Sequence, residues 1–362
     1  MAINKNQHFV PRCYLRPFTI DEEGVAINLY NIDKEKFIEL APVKNQCSRD
    51  YFYGQDDLLE RAIQSVEVGY ATALRDILRP GYTLTDEHRT ILRMFWLFQY
   101  LRTEAAAKKS VEMLASMGDV TGVTDPVFQL SIKDAVIIAM RQFAKVMHAI
   151  DDLKICLIRN KTQIPFFTSD DPAVLTNRWW QTDKRTQGRS FGVGSAGAII
   201  LLPLSPKLLC LGYDGYVYSV PHNRGMVDVC KEQDIASFNQ HQILKCHANL
   251  FVQRAEHSGI IHEAFAEVAK NRPTNRYRIN YAVLDCSEGE YTRYRVVAPD
   301  EREEHTDILL HTQEIHPVPL SWPRQIAFRS KGTVFTNGTG IGFIRDAGIA
   351  RPTRKPFYKE PA

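Results

Sequence analysis

The hydrophobic positions in the first half of the chain follow a helical period. Apolar residues recur three and four positions apart over residues 56–79, 86–109 and 131–150, which places them on one face of a helix. The segment 86–109 is apolar on nearly every side, a pattern typical of a central helix, and the Thr85 hydroxyl before it can cap the first turn. The three segments therefore predict one packed helical layer.

The second half of the chain carries shorter apolar runs bounded by Pro, Gly and polar residues, which is the pattern of β-strands. One more helix is predicted over residues 228–254, with Asn239 on its apolar line, and a polar loop runs from Val174 to Gly197. The predicted fold is α+β, with a helical layer packed on a mainly antiparallel mixed sheet. The predicted strands span residues 25–30, 36–40, 153–158, 164–168, 198–204, 208–212, 216–220, 276–284 and 291–297.

Chain length and a change of character near residue 271 suggest the domain organisation. A chain of 362 residues suffices for one large domain or two ordinary ones. Residues 1–271 hold the predicted helical layer and most of the sheet, and we expect them to form one core domain. Residues 272–362 contain a strand pair, scattered prolines and a glycine-rich patch, so they are predicted as a β-rich, partly irregular C-terminal extension.

Composition and charge narrow the class of protein without pointing to a partner. The chain is 44% hydrophobic and 24% charged, as in a soluble globular protein, and 45 basic residues nearly balance 42 acidic ones. The resulting net charge of +3 neither favours nor excludes nucleic acid or an anionic membrane as a partner. No apolar run approaches the length of a membrane span, and the first residues form no apolar leader. We therefore expect no membrane partner.

The cysteines indicate a reducing compartment. Their number, seven, is odd, no CxxC pair occurs, and several lie inside apolar runs, as Cys156 does. Reduced thiols in the core of a cytoplasmic protein fit this usage best, and we expect cytoplasmic localisation.

The stretch Thr168-Ser169-Asp170-Asp171-Pro172 follows an apolar run of strand type. Pro172 pushes Asp171 toward extended geometry and ends any ladder of backbone hydrogen bonds. One interpretation is a turn, in which Ser and Asp side chains bond to nearby backbone. The other is a binding site, because hydroxyls and carboxylates at a strand end lie at the edge of the core. The chemistry of these residues alone favours the turn.

Two polar side chains lie within or just past the most apolar helical segment. Gln99 and Arg102 are three residues apart and therefore share one side of that helix. A buried guanidinium requires a partner, normally a carboxylate. Glu67, which borders the apolar face of the first long helix, and Asp170 are both candidates.

Several motifs together resemble the bacterial and fungal domain of unknown function 4238 family. The resemblance covers about residues 6–256, and Arg12 and Pro17 stand where that family often has other polar residues. The family name implies no activity, but the resemblance implies that His8, Gln99, Arg102, Ser169, Asp170 and Asn239 form one recurring constellation. The motifs are Gln7-His8-Phe9-Val10-Pro11, Tyr14-Leu15-Arg16-Pro17-Phe18, Asp50-Tyr51-Phe52-Tyr53, Gln99-Tyr100-Leu101-Arg102-Thr103, Phe167-Thr168-Ser169-Asp170-Asp171-Pro172, Leu202-Pro203-Leu204-Ser205-Pro206 and the helix around Asn239.

Such a constellation suits phosphoryl chemistry. His, Asp and Asn side chains can hold a divalent metal such as Mg²⁺ or Mn²⁺. Without a metal, His8 can act as general acid or base while Arg102 stabilises charge on a phosphoryl oxygen. The expected function is a hydrolase of RNA or a nucleotide, of the kind that serves as a toxin or defence effector. The predicted catalytic residues are His8, Arg102 and Asp170, and the predicted substrate-binding residues are Gln99, Ser169, Asn239 and Arg16.

The loop after Val174 adds a predicted nucleic-acid surface. Trp179 and Trp180 offer stacking, and Lys184, Arg185 and Arg189 offer positive charge, the combination that single-stranded nucleic acid uses.

The alternative is a non-enzymatic binding module in which the constellation is only a structural polar network. No Ser-His-Asp spacing, HExxH motif or P-loop supports a sharper enzyme class. A structural network would be dry and fully hydrogen-bonded, whereas an active site would open into a pocket with His8 and Asp170 on its wall. The sequence leaves protein partners and oligomeric state open.

Overall fold

The helical layer predicted for the first half of the chain is present. The computed structural model describes residues 5–289, 291–298, 307–346 and 355–362. Asp56 caps the first long helix by accepting hydrogen bonds from the amides of Leu58 (2.9 Å) and Leu59 (3.2 Å). The helices are α1 (Arg12–Leu15), α2 (Asp57–Ile77), α3 (Asp86–Arg102), α4 (Glu104–Thr121), α5 (Ile132–Val146), α6 (Arg178–Thr182), α7 (Glu232–Lys245) and α8 (Ser258–Val268).

The helix predicted over residues 86–109 is wrong at its C-terminal end, because the helix is interrupted at Thr103 and a second helix begins after it. The Thr103 hydroxyl accepts a hydrogen bond from the amide of Ala106 (3.2 Å) and so caps α4. The same hydroxyl donates to Asp171 Oδ1 at 2.9 Å. A tertiary contact therefore fixes a break that helical periodicity does not reveal.

The strands form a five-stranded sheet in the order β11-β5-β9-β8-β7, a four-stranded sheet in the order β3-β2-β12-β6, and smaller sheets. The β11–β5 pair is parallel and the other pairs are antiparallel, so the α+β class with a mainly antiparallel sheet is confirmed. The strands are β1 (Asn6–His8), β2 (Ala26–Asn31), β3 (Lys36–Pro42), β4 (Ser48–Asp50), β5 (Lys154–Asn160), β6 (Thr168–Ser169), β7 (Val174–Thr176), β8 (Ile199–Ser205), β9 (Leu208–Tyr213), β10 (Tyr218–Ser219), β11 (Met226–Val229), β12 (Asn249–Val252), β13 (Tyr277–Glu288), β14 (Tyr291–Val296), β15 (Ile308–Glu314), β16 (Ala327–Phe328), β17 (Thr333–Thr336), β18 (Phe343–Ile344) and β19 (Tyr358–Pro361).

Two predicted elements around β6 and β12 differ from the structure. The helix predicted over residues 228–254 is wrong at both ends, because β11 precedes α7 and β12 follows it. Pairing of β12 with both β2 and β6 overrides the helical pattern there. The strand predicted over residues 164–168 pairs only at its end, in β6. A strand of two to four residues is too short for its period to be read from sequence.

Helix α3 lies between the five-stranded sheet and the other helices. The Trp96 indole donates a hydrogen bond to the Leu201 carbonyl of β8 at 3.1 Å. On the opposite side, the Phe95 ring stacks on Tyr70 of α2, with ring centroids 3.5 Å apart. The prediction that this helix is central is therefore confirmed.

The stacking surface predicted for the loop after Val174 is wrong, because both tryptophans are buried. Trp179 lies at the start of α6 and Trp180 follows it, and both rings pack edge-on against Phe343. Arg185 forms ion pairs with Asp183 and Glu360. The stacking surface that the sequence suggested is thus part of the core.

The strand pair predicted beyond residue 271 is confirmed as β13 and β14. This region packs on the preceding chain: β16 pairs with β10, and His316 Nε2 donates to the Phe191 carbonyl at 2.8 Å. The division into residues 1–271 and 272–362 stays a prediction.

Within the described part of the chain, no helix is both long enough and apolar enough to cross a membrane. All seven cysteines are free thiols.

Asn239 generates a prediction about stability. Its side chain accepts a hydrogen bond from the Phe167 amide (3.0 Å) and donates one to the Pro165 carbonyl (2.8 Å), and so fixes the segment before β6. Asn239→Ala leaves both buried backbone groups unpaired and should lower the free energy of unfolding by about 2–4 kcal/mol in urea titrations. Gln233→Ala, at an exposed position of the same helix, is the control. Equal effects of the two substitutions would contradict this role.

Candidate functional site

Arg102 is fully buried, and its carboxylate partner is Glu67 rather than Asp170. The guanidinium contacts Glu67 Oε1 at 2.8 Å, the Tyr53 hydroxyl at 2.7 Å and the backbone carbonyl of His8 at 2.6 Å. Of the two candidates that the sequence offered, Glu67 is therefore correct. His8 and Arg102 do converge, although the contact uses the His8 backbone and not its imidazole.

Asp170 has a different role from the predicted one. Its carboxylate accepts hydrogen bonds from three consecutive amides, those of His247 (2.8 Å), Ala248 (2.8 Å) and Asn249 (3.0 Å), and so shapes the turn between α7 and β12. Burial raises the pKa of Asp170, and the amides of His247 and Ala248 oppose that rise. No contact among the described residues joins Asp170 to His8 or Arg102, so the predicted convergence of all three is wrong.

The side chains of the other constellation residues mainly form hydrogen bonds with groups inside the protein. Gln99 Nε2 donates to the Phe9 carbonyl at 2.8 Å, the Ser169 hydroxyl donates to Gln242 Oε1 at 2.9 Å, and Asn239 holds the segment before β6. All three side chains are buried. These bonds fit the structural-network alternative better than a substrate surface. Arg16 is exposed, and its Nε donates to the Glu22 carbonyl at 2.8 Å.

Hydrogen bonds also join motifs that are far apart in the sequence. The Tyr14 hydroxyl lies 2.7 Å from the Thr168 hydroxyl and links the opening motif to the strand-end motif. Gln7 accepts a hydrogen bond from the Tyr53 amide at 2.7 Å. The recurring residues therefore hold one scaffold together, and that scaffold positions the groups that remain available for chemistry.

Those available groups face an open groove beside α2. This α2 groove has a volume of about 390 Å³, and His8, Arg12, Cys13, Tyr53, Glu67 and Arg102 are among its lining residues. Two nitrogens of these lining residues, His8 Nε2 and Arg102 Nη1, are buried and have no hydrogen-bond partner within the described chain. A polar atom in this state is suited to receive a ligand or an ordered water.

The electrostatics of the α2 groove favour a neutral imidazole. Burial lowers the pKa of His8, and the positive charges of Arg12 and Arg102 lower it further, whereas the Val43 backbone opposes the shift. Burial raises the pKa of the Cys13 thiol to about 12, so it is not a thiolate nucleophile. Of these two groups, His8 is the one in a state to accept a proton near neutral pH.

The described residues do not include a group of three or more His, Cys, Asp or Glu placed to hold a metal ion. The Mg²⁺ or Mn²⁺ that the sequence suggested stays a prediction.

A second cluster of charged side chains was missed by sequence reasoning. This basic pocket is lined by Lys109, Asp171, Lys245, Arg276, Glu314 and His316, together with apolar residues. Lysines on amphipathic helices and a carboxylate in a strand resemble ordinary surface residues in a sequence. Asp171, which follows Asp170 in the strand-end motif, was the one residue in the sequence that pointed to this pocket.

Burial and mutual charge shift several pKa values in the basic pocket. Burial lowers the pKa of Lys109, with Lys245 adding to the effect and Glu314 opposing it. For Glu314, burial alone would raise the pKa, but Lys109, His316 and Lys245 outweigh it and hold the pKa well below its usual range. Burial lowers the pKa of His316 to about 4, so its ring is neutral.

Comparison with known proteins identifies the family. Residues 6–256 match the model of a family described as a protein of unknown function, DUF4238. The chain belongs to this family. The resemblance seen in the sequence motifs is thereby confirmed. Neither the curated proteins nor the solved structures include a match to the chain. The α2 groove lies within the matched region, whereas Arg276, Glu314 and His316 of the basic pocket lie beyond it.

The carboxylates of Asp170 and Glu67 generate a testable prediction. Asp170→Ala should lower the free energy of unfolding by about 3 kcal/mol, because three backbone amides lose their charged acceptor. Glu67→Gln should also destabilise, since it removes the charge that partners buried Arg102. Because the two sites share no partner, the effects in the double variant should add to within about 0.5 kcal/mol in urea titrations. A coupling energy above about 1 kcal/mol would mean that both carboxylates act on Arg102.

Proposed function

We propose that this protein is a hydrolase of a phosphate-containing substrate, RNA or a nucleotide, and that the α2 groove is its active site. The observation that carries the proposal is the pair of buried, unpartnered nitrogens, His8 Nε2 and Arg102 Nη1, which belong to two residues that line one open groove. An imidazole and a guanidinium that line the same groove supply a proton acceptor and a fixed positive charge, and both groups suit phosphoryl chemistry.

The fixed position of Arg102 supports this assignment. Glu67 and the His8 carbonyl bond to Nη2 of the guanidinium, and the Tyr53 hydroxyl accepts a hydrogen bond from its Nε. The guanidinium therefore need not reorganise when charge develops on a phosphoryl oxygen, which is the condition for strong electrostatic stabilisation. In the proposed step, His8 Nε2 takes a proton from an attacking water, whose oxygen bonds to phosphorus. The bond between phosphorus and the leaving oxygen breaks, and the leaving oxygen takes a proton from solvent. Arg12, exposed at the rim, adds a second positive charge.

The proposal places the substrate at the α2 groove and not at α6, where the tryptophans are buried. The free thiols support a reducing, cytoplasmic compartment. A role as a toxin or defence effector is compatible with RNA or nucleotide hydrolysis.

A second candidate is a non-enzymatic binding module. The observation that favours it is that Gln99, Ser169, Asp170 and Asn239 all bond inward. In that case the α2 groove would bind a ligand without turnover, and the constellation would only hold the scaffold.

The enzyme proposal predicts an activity that depends on the His8 side chain. Purified protein is incubated with RNA, DNA and a nucleotide panel, with and without Mg²⁺ or Mn²⁺. His8→Ala should reduce turnover by about 100-fold or more, the usual contribution of a general base. The scaffold should survive, because Arg102 contacts the His8 backbone and not its ring.

The matched control is His311→Ala, at an exposed position of β15. Circular dichroism of both variants checks folding. Turnover that survives in folded His8→Ala would refute the assignment of the base, and an absence of turnover on every substrate would favour the binding module.

The state of His8 predicts the pH dependence of that activity. Burial and neighbouring positive charge lower its pKa, so the neutral, proton-accepting form persists below pH 6.5, the ordinary value for His. The acid limb of the kcat/KM profile should therefore have its midpoint below pH 6.5. A midpoint above about pH 7 would indicate a different base.

A further inference from the structure

The basic pocket lies where three parts of the chain meet. Lys109 comes from α4, Lys245 is the last residue of α7, and Arg276 directly precedes β13. Glu314 ends β15 on the same wall. The pocket is therefore assembled from the family region and from residues beyond it.

The cations of this pocket outnumber its carboxylates. Lys109 pairs closely with Glu314, at 2.7 Å. Lys245 and Arg276 instead share one oxygen, Asp171 Oδ2, at 3.3 and 3.8 Å. Three cations thus face two carboxylates, which leaves one positive charge in excess. Between 18% and 27% of each of these three cationic side chains is exposed, so they remain reachable at the mouth. Partly buried positive charge without a full complement of counter-charge is a ready site for an anion.

The floor of the pocket carries further polar atoms without partners. Thr176 Oγ1 and His241 Nε2 are buried and make no hydrogen bond within the described chain, and both residues line this pocket. Burial lowers the pKa of His241 to about 3, so its ring is neutral and keeps one N–H donor. The cavity volume is about 30 Å³, so the floor suits water and a larger ligand would lie at the mouth.

We propose that the basic pocket binds a small oxyanion of the phosphate class at its mouth, through Lys245 and Arg276 with Lys109 beside them. Phosphate and its monoesters present several oxygens to several cations at once, as this arrangement requires. Asp171 competes with that ligand for the same two cations. This proposal is independent of hydrolysis in the α2 groove.

The test is isothermal titration of inorganic phosphate into the full chain, with chloride used to hold ionic strength constant. We expect saturable binding that weakens about tenfold in Lys245→Met and in Arg276→Gln, since each loses one charge-assisted contact. Asp171→Asn should tighten binding, because it releases both cations from their carboxylate. A purely structural role for Asp171 would not produce that gain.

Two controls separate this site from other cations. Lys34→Met, at an exposed turn position, and Arg61→Gln, at an exposed position of α2, should leave the affinity unchanged. Thermal melts confirm that each variant is folded. A nucleoside monophosphate titrated in parallel distinguishes the sources: tighter binding than inorganic phosphate indicates a nucleotide, and equal binding indicates the free ion.

Three outcomes would overturn the proposal. The first is an absence of saturable binding at millimolar phosphate. The second is loss of phosphate binding in Arg12→Gln, at the α2 groove, while the folded Lys245 and Arg276 variants still bind. The third is a titration with chloride that gives the same binding signal as the titration with phosphate. Because His8→Ala leaves the basic pocket intact, it should bind phosphate as the unmodified chain does. Failure of the hydrolase assay would therefore not affect this result.

Discussion

The scaffold depends on one buried positive charge. Arg102 ends α3 with its side chain fully buried, and transfer of a guanidinium from water into a protein interior is costly unless every donor finds an acceptor. Its partners come from the β1 strand, from Tyr53 and from α2 through Glu67. Satisfaction of this charge therefore fixes how β1, α2 and α3 lie relative to one another. The α2 groove runs along that junction.

The hydrogen bonds that hold buried Arg102 leave one of its nitrogens free to bind a ligand. A guanidinium has five N–H donors in a fixed fork, and the scaffold satisfies those on Nε and Nη2. Nη1 remains without a partner, as does Nε2 of the neighbouring His8. A group that the fold holds for structural reasons can thus present its spare donor to a ligand without further ordering cost. At Arg102, one side chain can therefore belong to the structural network and to the proposed active site.

Sequence reasoning was accurate where a long periodic segment or a chemical necessity controlled the outcome. The helices α2, α3 and α5 follow from their apolar faces. Glu67 was one of two candidate partners for Arg102, because a carboxylate bordering an apolar stripe needs a cation. Sequence reasoning failed where distant contacts controlled the outcome. The break at Thr103 depends on Asp171, and the burial of Trp179 depends on Phe343. The amides that bind Asp170 lie more than 70 residues away in the chain, and no local pattern reports them.

The neighbouring carboxylates of Asp170 and Asp171 show how one short stretch can serve two purposes. Successive side chains of an extended segment point to opposite sides, and here Asp170 turns to the amides after α7 while Asp171 turns to Thr103, Lys245 and Arg276. The amides hold Asp170 by short-range bonds that fix a turn. Asp171 faces the partly exposed side chains of Lys245 and Arg276, and in the proposed phosphate site an incoming anion replaces this pairing. The two residues therefore differ in what their environments allow: one can only hold the fold, and the other can exchange its partners for a ligand.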